Sequence, residues 1–439
     1  MKLRNVIFIM LISISTCLGH TAFAASKDEY MKKFQAIFEM IDKYYVQEPD
    51  KEKMLEAAIN GMASSLDPHS SYFNKEEYAD LDDHIKGEFG GIGIEVIFEN
   101  SVVKVVSPID DLPADRAGVK PGDSIVAIND ELVPNLGYTK AVKNMRGKPG
   151  TKVHITVIRE GENKPIELDL VREIVKIKSV KYSLDNDIAY IRIAAFNKTT
   201  KDELEKAFTA LKQEAKNGVK GIIMDVRNNP GGLLDQAVAV TNFFIDEGVI
   251  VSTKGRTSTS VSKEKASQFG PKAPKVPVVV LINSGTASAP EIVAGALQDY
   301  GRAIIMGTKS FGKGSVQTVA PIGDGALKLT IAKYYTPNGR SIQAEGITPD
   351  IIVEPAKIEY LGSQKEERKY SEASLKNHLK NETTKEDQKD NNKDKEPSKA
   401  LQISELYKKD YQYSRAFDLL KGLIISKSAV KANGSKANF

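Results

Sequence analysis

Ser288 is the residue from which a chemistry can be argued. It lies in the stretch LINSGTASAPEIVAGALQD, Leu281 to Asp299. An apolar run from Val278 to Ile282 stops abruptly, small residues fill Ser284 to Ala289, and a helix-like pattern begins. That is a strand, a tight turn and a helix with a hydroxyl at the turn, a layout that lifts a serine above a sheet edge and leaves backbone amides beside it. Two readings are open. Ser288 is a nucleophile, or it is a plain helix cap, because Glu291 follows at the capping-box spacing and Pro290 suits a first helical turn. They differ in where the oxygen goes. A cap spends it on the Glu291 amide, whereas a nucleophile keeps it facing a base.

The supply of bases is short. The five histidines are His20, His69, His84, His154 and His378, and none falls in the stretch that alternates strands and helices around Ser288. A serine–histidine pair would have to borrow His69 or His84. The other route is a lysine amine, which serves as general base in variants of the serine triad when it is neutral. Lys313, in Phe311-Gly312-Lys313-Gly314-Ser315-Val316-Gln317, is the candidate, since the glycines on either side let the backbone pass close to other groups. If a strand runs from here through Val319, Lys313 and Gln317 share a face and Gln317 can orient the amine. Lys309 is the rival, and a solvated surface lysine is the plain alternative for Lys313. Acyl transfer also needs an oxyanion site of backbone amides. Asp225 to Gly232 leaves an apolar strand and enters a helix, so Gly231 and Gly232 can present unobstructed amides, with the Ala289 amide as second donor. The plain alternative is an ordinary strand–helix turn.

The elements that must hold these residues are legible along the chain. From Glu173 to Pro355, strand patterns at Ile188–Ile193, Ile222–Val226 and Val278–Ile282 alternate with helical ones, at 201–216 and after Gly232, which argues an α/β core. Before it, Ser26 caps a first helix whose Phe34, Ile37, Phe38, Ile41 and Tyr45 recur at helical spacing, and Asp50 opens a second. These stripes read as packing faces of a small helical domain, with a dimer contact as the sharper alternative. Between the two, Gly90-Gly91-Ile92-Gly93-Ile94 leads into an alternating strand, and Ala117 to Asp123 holds a Pro-Gly-Asp turn before the strand Ser124–Ile128. A short helix at 138–145 and a strand through Val153, Ile155 and Val157 follow. Gly90 to Val171 resembles a PDZ domain. In such domains the glycine-rich loop holds a peptide's terminal carboxylate on its amides, here Gly91, Ile92, Gly93 and Ile94, and the next strand takes the peptide as an added strand.

Composition sets the outer bounds. The chain has 439 residues, room for two or three domains, and a net charge of only +4, which gives no reason to expect nucleic-acid binding. Lys2 and Arg4, the apolar run Val6–Ile12 and Ala22-Phe23-Ala24 read as a secretory signal peptide cut after Ala24. Membrane tethering through this run is the alternative, although the run is short for a span. Cys17, the only cysteine, leaves with the signal, and the mature charge becomes +2. No disulfide, no cysteine nucleophile and no metal constellation is available. From Gln364 to Ala400 the chain is crowded with Lys, Glu, Asp and Asn and reads as a flexible linker. Leu401 to Ile425 is modestly amphipathic and fit to dock back as helices.

Taken together, Leu66-Asp67-Pro68-His69-Ser70, Gly90 to Val96, Arg227 to Gly232, Ala287 to Glu291, Gly312 to Gln317 and Tyr334 to Gln343 resemble the carboxyl-terminal processing peptidases, PDZ-containing serine–lysine endopeptidases of the tail-specific type. The resemblance runs from Asp28 to about Pro355 with the motifs in order. It implies a multidomain α+β protein: signal peptide at 1–24, N-terminal helical domain at 25–83, inserted PDZ domain at 84–172, crotonase-like β/α peptidase core at 173–357, and a charged linker with helical tail at 358–439. It makes Ser288 the nucleophile, Lys313 the base, Gln317 its positioning partner, Gly232 and Ala289 the oxyanion donors and Glu291 a support for the lysine. No cofactor is implied. The implied partners are protein substrates held by their C-terminal tails, and an activating adaptor and a homo-oligomer are compatible with the family. The implied location is the periplasm or outside the cell. The PDZ domain is expected to cover the active site when empty, and Arg146, after the PDZ helix, to contact the catalytic face when open. A pseudoenzyme that only binds tails, and a crotonase-like acyl enzyme, are the other functions carried forward. Pro290, where the family leads one to expect a small polar residue, removes one backbone donor but not the Ala289 amide.

Overall fold

The computed structural model describes residues 26–99, 102–109, 111–257, 260–359, 379 and 404–434. The signal segment at 1–24 and, apart from Leu379, the linker Gln364–Ala400 lie outside the described residues. The chain divides into two compact units after Tyr72. The first contains α1 (Lys27–Tyr44) and α2 (Lys51–Ser64). Ser26 caps α1 by accepting from the Glu29 amide at 3.3 Å, and Asp50 caps α2 by accepting from Lys53 at 3.1 Å. The packing expectation for α1 is corrected here. The helix has no buried residue, and Phe34, Ile37 and Ile41 of its apolar stripe stay exposed. The Asp67 motif is a local turn in which Oδ1 accepts the amides of His69 and Ser70 at 2.8 and 2.9 Å.

After the short strand β1 (Ser71–Phe73), the second unit opens on α3 (Lys75–Lys86), closed by Gly87 in the left-handed conformation. β2 (Glu88–Gly91) then pairs antiparallel with β9 (Glu173–Lys176), so the entrance and exit of an inserted lobe run side by side. The lobe holds β3 (Ile94–Glu99), β4 (Val102–Pro108), α4 (Pro113–Arg116), β5 (Ser124–Ile128), β6 (Glu131–Leu132), α5 (Val133–Met145), β7 (Lys152–Ile158) and β8 (Ile166–Val171). Its sheet runs β3-β4-β5-β7-β8, with β3 at one edge and its own apolar core about Ile125, Ile128 and Ile155. The glycine at position 90 has a local cause. A Cβ there would stand 2.0 Å from the Gly147 carbonyl, because the turn after α5 crosses β2 at that point.

The remaining chain builds two sheets. The first is mainly parallel, in the order β10 (Val180–Asp185), β11 (Ile188–Ile193), β12 (Gly221–Asp225), β15 (Val278–Ile282), β16 (Ile304–Gly307) and β19 (Ile351–Ile352). Its central strands β12 and β15 are buried along their whole length, which is why they read as continuous apolar runs rather than alternating ones. Alternate residues face opposite layers. Ile191, Ile222, Met224, Val280 and Ile305 join the core under α6 (Thr200–Glu214), α7 (Leu234–Asn242) and α8 (Ala289–Asp299). Ile188, Ile223, Val279, Leu281 and Met306 face the other way, against Tyr413, Ala416, Phe417 and Leu420. Those four residues belong to α10 (Tyr411–Gly434), which follows the short α9 (Glu405–Lys409). The tail segment after residue 404 therefore forms the third layer of the core. The second sheet places β13 (Val249–Gly255) between β14 (Val261–Lys265) and β18 (Gly325–Tyr335), with β17 (Ser315–Ile322) on the far side of β18.

Candidate active site

The turn after β15 is laced to the turn after β12. Thr286 Oγ1 donates to the Val226 carbonyl at 2.9 Å and accepts the Asn283 amide at 3.0 Å. Asn283 Oδ1 takes the Asn228 amide at 2.9 Å, and the Ala287 amide donates to the Asn229 carbonyl at 3.0 Å. Ser288 leaves this lattice at φ +68° and ψ −115°. A non-glycine residue in that region is strained and persists only where its surroundings impose it, which is common at active sites. Ser288 and Glu291 stand in the capping-box relation, with the Ser288 amide donating to Glu291 Oε2 at 2.7 Å, and the Glu291 amide also donates to the Ser288 carbonyl at 2.8 Å.

Glu291 has the larger task. It is fully buried. Its Oε2 accepts the amides of Ser288 at 2.7 Å and Lys313 at 2.9 Å, and its Oε1 accepts Ser310 Oγ at 2.6 Å and the Gly312 amide at 2.7 Å. One carboxylate therefore ties the backbone of the serine turn to the backbone of the lysine loop. On the other side of Lys313, the Gly314 amide donates to Gln343 Oε1 at 3.0 Å, and a Cβ at Gly314 would meet the Gln343 amide at 2.5 Å. This accounts for the tight Gly-Lys-Gly sequence.

Ser288, Ala289, Lys313, Gln317 and Gly232 line one cleft of about 270 Å³. The rival Lys309 does not line it; it is exposed and lies 4.0 Å from Glu345. The strand argument that joined Lys313 to Gln317 needs correction. β17 begins at Ser315, beyond Lys313, and a register shift falls between Val316 and Gln317. The two side chains reach the same cleft through a loop and a bulge rather than by simple alternation. Gln317 Nε2 donates to Ser315 Oγ at 2.9 Å and to Thr330 Oγ1 at 3.2 Å, which fixes the amide plane.

Gly231 and Gly232 have φ of +117° and +137°. Phe196 forms a parallel bridge to Gly232, donating to the Gly231 carbonyl at 2.9 Å and accepting the Leu233 amide at 2.8 Å. In such a bridge the amide of the central residue points away from its partner. The Gly232 N–H is thus turned from Phe196, and a Cβ at this position would lie 2.0 Å from the Phe196 carbonyl. A Cβ at Gly231 would come within 2.9 Å of Ser288 Cβ, so this turn packs directly against the serine. The Ala289 amide belongs to the first turn of α8, where no helical carbonyl precedes it.

Two further cleft residues, Tyr334 and Lys328, had no assigned role in the sequence, and a third, His84, entered only as a base to be borrowed. Tyr334 is buried; its hydroxyl donates to the Lys313 carbonyl and is hydrogen-bonded to Ser288. Burial pushes its phenol pKa up, the charge of Glu291 adds to that, and the Ser288 hydrogen bond partly offsets it. Lys328, a second lysine on the wall, lies 5.1 Å from the ring centroid of Phe73. His84 reaches the cleft from α3. Lys328, Thr330 and Tyr334 are alternate positions of β18, and Thr330 is the register partner of Gln317, so strand periodicity was the signal available.

The other predicted residues fall in the inserted lobe. Gly91 ends β2 opposite Glu173, Ile92 is buried and accepts the Ala114 amide at 2.9 Å, Gly93 (φ +75°) accepts the Ile109 amide at 2.9 Å, and Ile94 opens the edge strand β3. Arg146 is not among the residues lining the catalytic cleft. Its guanidinium lies 4.2 Å from the Phe89 ring centroid, in a neighbouring hollow that also touches Asp80, Asp83 and His84.

Comparison with known proteins identifies the family. Residues 187–353 match the model of peptidase family S41, 90–170 that of a PDZ domain, and 14–77 that of the activating protease CtpB N-terminal domain. A carboxy-terminal-processing protease from Bartonella bacilliformis is 46% identical over 397 residues, 90% of this chain and 89% of its own. A probable CtpA-like serine protease from Staphylococcus epidermidis is 35% identical over 81% of this chain and 73% of its own. Among solved structures, a photosystem II D1 C-terminal processing protease aligns at 28% identity with a TM-score of 0.44, over 75% of this chain and 94% of that one. The chain belongs to the carboxy-terminal-processing proteases of peptidase family S41, serine peptidases that here carry a PDZ domain. Among the described residues no helix is long and apolar enough to cross a membrane.

Proposed function

We propose that the protein is an exported endopeptidase that captures the C-terminal tails of protein substrates on its PDZ domain and cleaves them by a serine–lysine mechanism. The observation that carries this reading is the shared anchoring of Ser288 and Lys313. Both backbones hang on the one buried carboxylate of Glu291, and both side chains line one cleft. In the reaction, the neutral Lys313 amine takes the proton of Ser288 Oγ as the oxygen attacks the scissile carbonyl. The Gly232 and Ala289 amides receive the negative charge of the tetrahedral oxygen. Lys313 then protonates the leaving amine, and water repeats the sequence on the acyl-enzyme. Gln317 orients the lysine from β17. For capture, the free edge of β3 beside the Gly91–Ile94 turn supports addition of the tail as a further strand. The exposed apolar stripe of α1 supports a partner on that face, a second copy or an activating adaptor. The core is read as crotonase-like and the domains as spanning 25–83, 84–172 and 173–357, with the periplasm as the compartment.

The test compares one substrate with a free C-terminal tail and the same substrate amidated. Cleavage is expected to need the free carboxylate and to be abolished in both Ser288→Ala and Lys313→Ala. Equal cleavage of the two substrates removes the tail-reading role, and residual full activity in Lys313→Ala removes the lysine base. A second reading, with His84 as base, is favoured by its position on the cleft wall. It requires His84→Gln to abolish turnover and Lys313→Ala to spare it.

A further inference from the structure

The C-terminal helices do more than cover the back of the sheet. Arg227 is the residue just before the Asn228–Gly232 turn, and its side chain runs to the opposite face of the sheet from Ser288. There it is gripped by residues nearly two hundred positions away. Arg227 Nη2 lies 2.6 Å from Asp410 Oδ2, and Nη1 donates to Asp410 Oδ1 at 3.1 Å and to Gln412 Oε1 at 2.8 Å. The remaining donors go to Asp225, with Nε to Oδ1 at 3.0 Å and Nη2 to Oδ2 at 2.6 Å. Asp410 is fixed in turn, because its Oδ1 caps α10 by accepting the Tyr413 amide at 3.0 Å. Gln412 is fixed by donating to the Val353 carbonyl at 2.6 Å. Burial opposes charge on both partners of the grip. Hydrogen bonds outweigh it: those to Asp225 and Asp410 raise the Arg227 pKa, and those from Arg227 and the Tyr413 amide lower that of Asp410.

The turn is therefore held from two sides. On the cleft side Asn283 and Thr286 hold residues 228 and 226; on the back, the guanidinium of Arg227 reaches from the turn to the helical layer. We propose that the helices at 404–434 are a working part of the active site. Through Asp410 and Gln412 they fix Arg227, and through Arg227 they set the position of the turn that presents the Gly232 amide. Arg227, Asp410 and Gln412 are positioning residues in this scheme, which rests on the reading of Gly232 as an oxyanion donor. A turn displaced by an ångström leaves substrate binding on the PDZ lobe intact but misaligns a donor with the oxyanion.

The experiment uses the full mature chain and the variants Asp410→Asn and Asp410→Ala. Each is titrated to completion with a serine-directed fluorophosphonate, so that turnover is expressed per labelled chain. For Asp410→Ala, kcat per labelled chain is expected to fall about ten- to a hundredfold, with KM within about twofold. Asp410→Asn, which keeps one acceptor for Arg227, is expected to fall between parent and Asp410→Ala. A merely structural contact gives a different result: fewer chains label, but each labelled chain turns over at the parent rate, and that outcome overturns the proposal. So does an Asp410→Ala protein with parent kcat. Ser288→Ala run alongside separates the two levels. If it still labels and cleaves, the catalytic reading itself is wrong; if it is inert while Asp410→Ala is unimpaired, only the clamp is.

Discussion

Replacing Glu291 by glutamine tests whether one buried carboxylate aligns the serine turn and the lysine loop. The wild-type side chain accepts four hydrogen bonds, two per oxygen, at 2.6–2.9 Å. Glutamine offers one oxygen and one NH2. With the NH2 toward Ser288 and Lys313 it meets two backbone N–H groups that cannot reverse. With the NH2 toward Ser310 and Gly312, the Ser310 hydroxyl can turn to accept, and only the Gly312 amide is left opposed. The second orientation costs less. It loses one charge-assisted bond, about 1.5–3 kcal/mol, and weakens three others by removing the charge, so a loss of about 2–4 kcal/mol is expected. That is a large share of a domain stability of about 5–15 kcal/mol, but it leaves a folded protein. Alanine would orphan three amides and a hydroxyl at once and is the wrong choice for the test. Because Gly312 precedes Lys313, the opposed amide also shifts the base, and a misplacement of about an ångström costs about a hundredfold in rate. The assay is a thermal melt with kcat on a tailed peptide, referenced to fluorophosphonate-labelled chains. Glu291→Gln with the parent melting temperature and parent kcat would refute the reasoning.

Three further outcomes are expected. Ser288→Gly releases a backbone strain of roughly 1–3 kcal/mol against a glycine entropy cost of roughly 0.5–1 kcal/mol. The inactive protein is thus expected to melt above Ser288→Ala, and the reverse order would mean that φ +68° is not strained. Tyr334→Phe leaves the Lys313 carbonyl without its donor at a cost of about 1–3 kcal/mol. It is expected to lower kcat with KM held, which steady-state kinetics on folded protein will decide. In the PDZ lobe, His154 lies between Asp169 at 2.9 Å and Glu167 at 2.8 Å, whose hydrogen bonds raise its pKa above the ordinary imidazole value. A raised folded-state pKa stabilises the fold fully below about pH 6.5, and the benefit fades as pH rises through the folded value. Lobe stability followed by denaturant melts should fall over that window in the parent and not in His154→Gln. An identical pH profile in both would dismiss the contribution.

Local patterns made much of this molecule readable from the chain. The break from Val278–Ile282 into small residues marked the serine turn, and the absence of a nearby histidine directed attention to Lys313. What escaped was set by long-range pairing. Thr330 meets Gln317, and Tyr334 meets Lys313, through pairing of β18 with β17 and the loop before it, and the bulge at Val316/Gln317 undoes alternation counted along one strand. Glu291 looked like half of a capping box because its link to Ser310, Gly312 and Lys313 crosses about twenty residues of sequence. The amphipathic stretch from Leu401 announced helices fit to dock back, but Arg227 and Asp410 are 183 positions apart, so nothing local announced which face they cover or the ion pair that joins them to the turn. The stripe on α1 was legible as apolar, but periodicity cannot say whether a face is covered within its own chain, and here it is exposed.

The central claim is that Ser288 is the nucleophile and Lys313 its base. It is tested most directly by the site and rate of covalent labelling with a fluorophosphonate, read by peptide mass mapping in the parent, Lys313→Ala and His84→Gln proteins. The expected result is a single adduct on the peptide carrying Ser288, formed at the parent rate in His84→Gln and at least about a hundredfold more slowly in Lys313→Ala. An adduct on another residue, or undiminished labelling of Ser288 in Lys313→Ala, would contradict it.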